Sequence, residues 1–84
     1  MTQLLRPPAP IRVEADDRHR PHRVLGDGQP AGDIEVVLRW IVEVDWWSEP
    51  VSREYWRVVL DDQLMCEIYR DRAGSGWYLE RVFD

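Results

Sequence analysis

The chain has 84 residues, a net charge of −5 at pH 7 and five tryptophans. That length predicts one domain with a single hydrophobic core. An acidic chain lacks the basic field needed to coat nucleic acid without sequence preference, and a single cysteine, Cys66, excludes an internal disulfide. The sequence contains no apolar run long enough for a membrane span or a signal-peptide core, so we expect a cytoplasmic protein with no membrane contact.

The charge is distributed unevenly along the chain. Residues 1–33 contain five arginines and five acidic residues, whereas residues 34–84 contain six arginines and eleven acidic residues. The C-terminal part therefore carries the whole negative charge. Every basic residue is an arginine, so each positive contact is made by a guanidinium group, which suits bidentate or stacked pairing.

The first ten residues differ in composition from the rest. Residues 1–10 contain Pro7, Pro8 and Pro10 and show no periodicity, which predicts a flexible proline-rich tail. The remainder, residues 11–84, is predicted to form one β-barrel domain.

A hairpin is predicted next. Apolar and charged residues alternate over residues 11–15, as in a half-buried strand, and Asp16-Asp17 follows as a turn. A returning strand over residues 20–25 contains Pro21, which restricts it to a position where no backbone N–H is needed. Residues 26–33 are dense in turn formers and predict a long loop, either a plain connector or a site of variable function.

Residues 34–47 show the clearest periodicity. Every even position is apolar, which predicts a strand with an even-numbered core face. Val37 and Ile41 break the polar odd face and are compatible with a helical stripe, but six of the eleven residues from 34 to 44 are β-branched, which favours a strand. Such a strand is long for a small domain, so we expect a bend or bulge near Arg39-Trp40.

Three further strands are predicted after residues 48–52. Their inward faces are Trp56, Val58 and Leu60, then Leu64, Cys66 and Ile68, then Trp77 and Leu79. The connections are a tight turn at residues 61–63 and a loop at residues 72–76, where glycines are expected to supply positive φ. The predicted fold is all-β: a small, partly open SH3-like barrel of five or six antiparallel strands with a C-terminal meander.

The aromatic pattern of the C-terminal part carries a family resemblance. It consists of Trp46-Trp47, the segment Arg53-Glu54-Tyr55-Trp56-Arg57-Val58, the strand Tyr69-Arg70-Asp71 and the terminal segment Gly76-Trp77-Tyr78-Leu79-Glu80-Arg81-Val82-Phe83-Asp84. This series resembles a small bacterial domain family of unassigned function, with free-standing members in actinobacteria and the Deinococcus–Thermus group. It is also similar to the C-terminal region of the catalytically inactive Y-family-polymerase-like subunit of the bacterial mutagenesis cassette.

The resemblance implies a role in protein contacts rather than in catalysis. In the polymerase-like subunit, the C-terminal region is implied to bind other proteins of the error-prone replication machinery. By resemblance, we expect a partner in error-prone DNA repair or translesion synthesis. The chain departs from the family pattern at residues 61–63, where the hairpin turn usually carries a glycine, and at residues 26–33, which look lengthened.

Candidate catalytic and metal-binding residues have weak support. His19 and His22 lie three positions apart, but a zinc site needs two further ligands at suitable spacing. Cys66 alternates with apolar residues on an inward face, which favours an inert core thiol over a nucleophile. We therefore expect a protein that is not an enzyme and that carries no metal or other cofactor.

The candidate partner-binding residues are Trp47, Tyr55 and Arg53. Trp46 and Trp47 are adjacent on a strand, so they point to opposite faces, and the continuous even face assigns Trp46 to the core. An exposed tryptophan beside charged residues is typical of a protein-binding anchor. The sequence therefore predicts a protein-interaction or accessory module.

The alternative is a β-barrel that binds nucleic acid. The basic segment from Arg18 to Arg23 supplies Arg18, Arg20 and Arg23 as candidate phosphate-binding residues. A solvated hairpin turn, with arginines paired to nearby aspartates, accounts for the same residues.

Overall fold

The structure, a computed structural model, describes residues 2–26, 30–46 and 49–83. It contains six strands: β1 (Thr2–Ala15), β2 (Pro21–Leu25), β3 (Gly32–Trp46), β4 (Glu49–Leu60), β5 (Leu64–Asp71) and β6 (Trp77–Phe83). The described residues contain no helix, so the all-β prediction is confirmed. Accordingly, none of the described segments is a helix long and apolar enough to cross a membrane.

The strands form an antiparallel barrel in which each strand pairs with its neighbour in the chain. Pairing of β1 with β6 closes the ring. This arrangement confirms the predicted small barrel of five or six antiparallel strands with a C-terminal meander. The shortest pairing in the barrel is between β2 and β3. Among the described residues, its partners are Arg23–Asp33 and Val24–Gly32.

The core lies inside the barrel and follows the predicted meander faces. Its buried members are Val24, Trp56, Val58, Leu60, Cys66, Ile68 and Leu79, and Trp77 packs against them. The rings of Trp56 and Trp77 lie 5.1 Å apart between centroids. These alternate positions on β4, β5 and β6 point to one side because side chains alternate along a strand.

The N-terminal residues belong to the barrel, which corrects the prediction of a flexible tail. β1 pairs with β6 from Thr2 to Leu4 and again from Ala9 to Ile11. Leu5 and Ala9 pack against the core. The register shifts between Leu4 and Ala9, so Pro7 and Pro8 lie where no backbone N–H is needed for pairing, and proline is tolerated there.

The predicted hairpin from β1 to β2 is present, and Pro21 is the first residue of β2. The long strand over residues 34–47 is also present as β3, with a bulge. The bulge lies between Val36 and Leu38, two positions before the predicted site near Arg39.

The bulge at Val37 reverses the faces of β3, which corrects the predicted even-numbered core. Val36 is opposite the core residue Val58, but Leu38 is opposite Arg57, because Val37 is an extra residue. One extra residue moves every later side chain to the other face of a sheet. The even-numbered residues from Leu38 to Val44 therefore share the outer face with Arg57.

Two connections differ in detail from the prediction. β4 begins at Glu49, so most of the predicted break before it is strand. At the turn after β4, Asp61 and Asp62 have φ of 51° and 58°, a conformation that aspartate tolerates, so the tight turn forms without glycine. In the loop after β5, Ser75 rather than a glycine has positive φ, at 67°.

Candidate functional site

β3 has a neighbouring strand on one side only along most of its length. β2 reaches only Gly32 and Asp33. From Ile34 to Trp46, every partner of β3 within the described part of the chain lies on β4. We call residues 34–46, on the side facing away from β4, the β3 edge. The backbone groups on this side are open to an added strand.

The β3 edge also exposes apolar side chains. Five of its residues have relative exposures between 41% and 51%: Val36, Val37, Leu38, Ile41 and Val44. Leu4, at 38%, is the sixth large apolar residue that is exposed in the part of the chain described here. Exposed apolar residues gathered on one segment are typical of an interaction surface.

The bulge explains why sequence reasoning missed this surface. An uninterrupted alternation assigns Leu38 and Val44 to the core, whereas the extra residue Val37 moves them outward. The signal in the sequence was the pair of apolar residues at odd positions, Val37 and Ile41. Val37 is the bulged residue itself, and Ile41 lies on the face opposite to Leu38.

Charged residues on the β3 edge are held in place by ion pairs. Arg39 donates from Nε to Oε2 of Glu54 at 2.6 Å, and Glu54 is buried and also pairs with Arg70 at 3.3 Å. Glu43 accepts from Arg72 at 2.7 Å. These contacts fix an arginine and a glutamate four residues apart along the edge.

An aromatic row crosses the outer face of the barrel and ends at the β3 edge. Trp40, Tyr55, Tyr69 and Tyr78 are direct cross-strand partners on β3, β4, β5 and β6. Successive ring centroids lie 5.1 to 5.2 Å apart, and the rings of Trp40 and Tyr55 are nearly parallel. Such contacts between neighbouring strands stabilise the sheet.

Two of the candidate partner-binding residues, Tyr55 and Arg53, make contacts within the outer face of the barrel. Tyr55 is buried within the aromatic row, and its hydroxyl contacts Glu80 at 3.1 Å. Burial raises the pKa of Tyr55. Arg53 lies over the Tyr69 ring at 4.5 Å and pairs with Glu80 at 3.6 Å. Both residues therefore take part in contacts within the outer face, and the side chain of Arg53 is 33% exposed.

The remaining candidate partner-binding residue, Trp47, lies outside the described residues. The backbone of Trp46 pairs with Glu49 at the end of β3. The prediction for the tryptophan pair is therefore neither supported nor opposed by the structure.

The basic segment is divided between two places. Arg18 and Arg20, in the turn between β1 and β2, line a cleft of about 310 Å³ with Arg39 and Glu54. Arg23 lies elsewhere, where its Nε donates to Asp33 at 2.7 Å. The structure therefore joins Arg18 and Arg20 to an arginine that the sequence did not suggest and separates them from Arg23.

Asp16 orders the turn that carries the two arginines. Its Oδ1 accepts hydrogen bonds from the backbone N–H groups of Arg18 and Arg20 at 2.8 and 2.9 Å. The hydrogen bond from Arg20 is the largest cause of the lowered pKa of Asp16. The aspartate thus fixes the backbone of the turn through a local side-chain interaction, as expected of such a residue.

The candidate thiol, Cys66, lies in the barrel core. Burial raises the pKa of the Cys66 thiol to about 11, which keeps it protonated and unreactive near neutral pH. Across the residues that the structure describes, no group of three or more histidine, cysteine or acidic side chains is arranged to hold a metal ion.

Comparisons with protein-family models, curated proteins and solved structures give no match to this chain.

Proposed function

We propose that this chain is a non-enzymatic protein-interaction or accessory module that binds an extended segment of a partner protein along the β3 edge. The observation that supports this function is the coincidence of an unpaired backbone with exposed apolar side chains on the same residues, 34–46. A partner strand added there forms backbone hydrogen bonds for affinity and side-chain contacts for specificity.

The rigidity of the edge favours binding. The edge is held by pairing with β4 on both sides of the bulged Val37 and by the ion pairs of Arg39 and Glu43. A preformed strand loses little conformational freedom when a partner binds, so most of the ordering cost falls on the partner segment. Exposed β-branched side chains also have few rotamers to lose.

The sequence resemblance supplies the biological setting of this proposal. On that basis, the partner is a protein of the error-prone replication machinery, and the setting is translesion synthesis in the bacterial cytoplasm. The expected partner segment is extended and presents apolar side chains at alternate positions, since these match the exposed residues of the edge.

The test compares three versions of the chain as immobilised baits for purified proteins of the error-prone replication machinery. Wild type is compared with the double variant Leu38→Lys, Ile41→Lys, which places charges on both faces of the edge. Leu4→Lys is the matched control, because Leu4 is similarly exposed but lies on β1. We expect the double variant to weaken binding about tenfold or more and the control to leave it unchanged.

Circular dichroism establishes that all three baits are folded before binding is compared. Equal retention of a partner by wild type and the double variant would show that the β3 edge is not the binding surface.

A second candidate function, nucleic-acid binding, is favoured by the arginine cleft. Arg18, Arg20 and Arg39 line one cleft, and three guanidinium groups suit a phosphate group. Glu54 lines the same cleft and pairs with Arg39. The net charge of the chain favours the protein-interaction proposal, because a surface with one small basic cleft gives weak attraction to a polyanion.

Titration of single-stranded DNA at several salt concentrations distinguishes the two functions. If the cleft binds phosphate, the double variant Arg18→Ala, Arg20→Ala loses affinity and has a shallower salt dependence. Arg23→Ala is the matched control, because Arg23 pairs with Asp33 away from the cleft. The protein-interaction proposal expects no binding at physiological salt, and a clear salt-dependent affinity that the double variant loses would favour nucleic acid instead.

A further inference from the structure

We infer that a second copy of this chain covers the β3 edge in the free protein, so that two β3 strands pair antiparallel about a two-fold axis at Ile41. This inference rests on the proposed function, since it assigns an occupant to the same edge. It starts from the exposure of Val36, Val37, Leu38, Ile41 and Val44, which an isolated barrel leaves in water. Natural proteins cover or block such edges because they otherwise aggregate.

The charges along the edge are self-complementary in this register. With Ile41 opposite Ile41, Arg39 of each copy lies opposite Glu43 of the other copy. Directly opposite side chains on antiparallel strands lie on the same face, close enough for an ion pair. The side chains of Arg39 and Glu43 are 52% and 64% exposed, so both are accessible to a second copy. The Glu54 contacts use Nε and Nη2 of Arg39, and Nη1 is a further donor for a second carboxylate.

Apolar residues are also matched in this register. Leu38 lies opposite Val44 of the second copy, and Trp40 lies opposite Val42. Ile41, exposed in one chain, lies opposite itself at the axis. The symmetric pairing thus buries exposed apolar side chains against one another, as is typical of a two-fold interface between identical subunits.

Neighbouring registers bring unfavourable pairs together. An axis at Arg39 places Arg39 against itself, and an axis at Glu43 places that residue against itself. Like charges directly opposite each other destabilise a strand pair. An axis at Trp40 places Arg39 against the exposed Ile41. An axis at Val42 pairs Arg39 with Asp45 but places the exposed Ile41 against the carboxylate of Glu43. The axis at Ile41 matches both the charged and the apolar residues, so Ile41 is the favoured centre.

The length of the free edge fits the same axis. Pairing about Ile41 joins residues 38–44 of one copy to residues 44–38 of the other, and all of these residues lie beyond the bulge at Val37. β2 ends its contact with β3 at Asp33, before this segment begins, and β3 continues to Trp46, beyond its other end. The two strands therefore pair over the segment without displacing β2.

Cysteine cross-linking tests the register directly. Only the residue at the axis lies opposite itself, so Ile41→Cys is expected to form a disulfide-linked dimer under mild oxidation. Val44→Cys is the matched control: its side chain is exposed to nearly the same extent, 42% against 45%, but lies opposite Leu38. Cys66 is buried in both variants and serves as an internal unreactive thiol. Equal cross-linking of the two variants would overturn the register.

Sedimentation tests the association without cross-linking. We expect wild type to have twice the mass of one chain at high micromolar concentration and Glu43→Arg to weaken dimerisation about tenfold, because arginine then faces Arg39. Mixing Glu43→Arg with Arg39→Glu is expected to restore a dimer, since each position then faces an opposite charge. If Arg39→Glu is unfolded because it loses its contact with Glu54, the mixing experiment is replaced by sedimentation of Ile41→Lys alone, which we expect to be monomeric.

The outcomes separate this inference from the proposed function. Wild type that stays monomeric at all concentrations, with no Ile41→Cys dimer, overturns the second copy as occupant. In that case the loss of partner binding by Leu38→Lys, Ile41→Lys still supports the proposed function. A dimer combined with unchanged partner binding by that double variant would overturn the proposed function alone.

Discussion

The chemistry of Cys66 reflects the exclusion of solvent from the barrel interior. It lies on β5 opposite Val58 and Val82 and has no exposed surface. A thiolate is poorly solvated in such a site, so the protonated form is favoured. The same burial that removes Cys66 from nucleophilic chemistry makes it a reporter of folding.

We predict that ionisation of Cys66 makes the stability of the protein depend on pH. The folded-state pKa is about 11 and the ordinary value is 9.0, so between these pH values the unfolded chain releases a proton that the folded chain keeps. The free energy of unfolding should therefore fall as pH rises through this window, by on the order of 2 to 3 kcal/mol. Denaturant titrations of wild type across this window measure the change.

The variant Cys66→Ala is the control for this prediction. Burial also raises the pKa of Tyr55 and of Tyr69, so tyrosine ionisation contributes at high pH in both proteins. The contribution of Cys66 is the difference between wild type and the variant. Identical pH profiles would show that the thiol is not buried in solution.

At the scale of elements, β3 shows which parts of the fold sequence patterns can predict. Its strand character follows from β-branched composition, and the inward faces of β4 to β6 follow from simple alternation. The position of the bulge does not follow, because local sequence permits an extra residue at several places and pairing with β4 selects Val37.

The candidate site was harder to predict for the same physical reason. The exposure of Leu38 and Val44 depends on the bulge, and the freedom of the edge depends on where β2 stops pairing. Both properties arise from contacts between distant segments. Arg18 and Arg20 were predicted from sequence as a basic segment, whereas their neighbour Arg39 is brought to them only by the folded barrel.

We predict that deletion of Val37 preserves the fold. The residues on either side, Val36 and Leu38, already oppose consecutive residues of β4. Removing Val37 therefore leaves all the remaining residues of β3 on their present faces. Deletion of Ile41 is the matched control. It forces Leu38, Arg39 and Trp40 onto the opposite faces or breaks the pairing beyond them.

Thermal unfolding followed by circular dichroism measures both deletions. The Val37 deletion should keep a cooperative transition, whereas the Ile41 deletion should lower the midpoint much further or abolish it. A larger loss from the Val37 deletion would mean that the bend supplied by the bulge matters more than side-chain placement.

At the scale of the whole molecule, the barrel depends on its N-terminal strand. We predict that a chain starting at Ile11 loses cooperative unfolding, because it lacks the pairing of residues 2–4, 9 and 10 with β6 and the core contacts of Leu5 and Ala9. Losing pairing and apolar burial together leaves β6 as a new open edge. A chain starting at Leu4 is the control, since it keeps both core residues.

Thermal melts of both truncated chains compare them with the full sequence. If the chain starting at Ile11 unfolds with the same midpoint as the full sequence, the first ten residues are dispensable and behave as the tail that their composition predicts.

Closure of the ring has a kinetic consequence. Five of the six strand pairings join strands that are consecutive in the chain, and each needs only a short loop to form. The sixth joins Thr2 to Phe83 and closes a loop of nearly the whole sequence. Because long loops cost more entropy to close and slow folding, we expect hairpins to assemble first into an open sheet, and the meeting of β1 with β6 to set the folding rate.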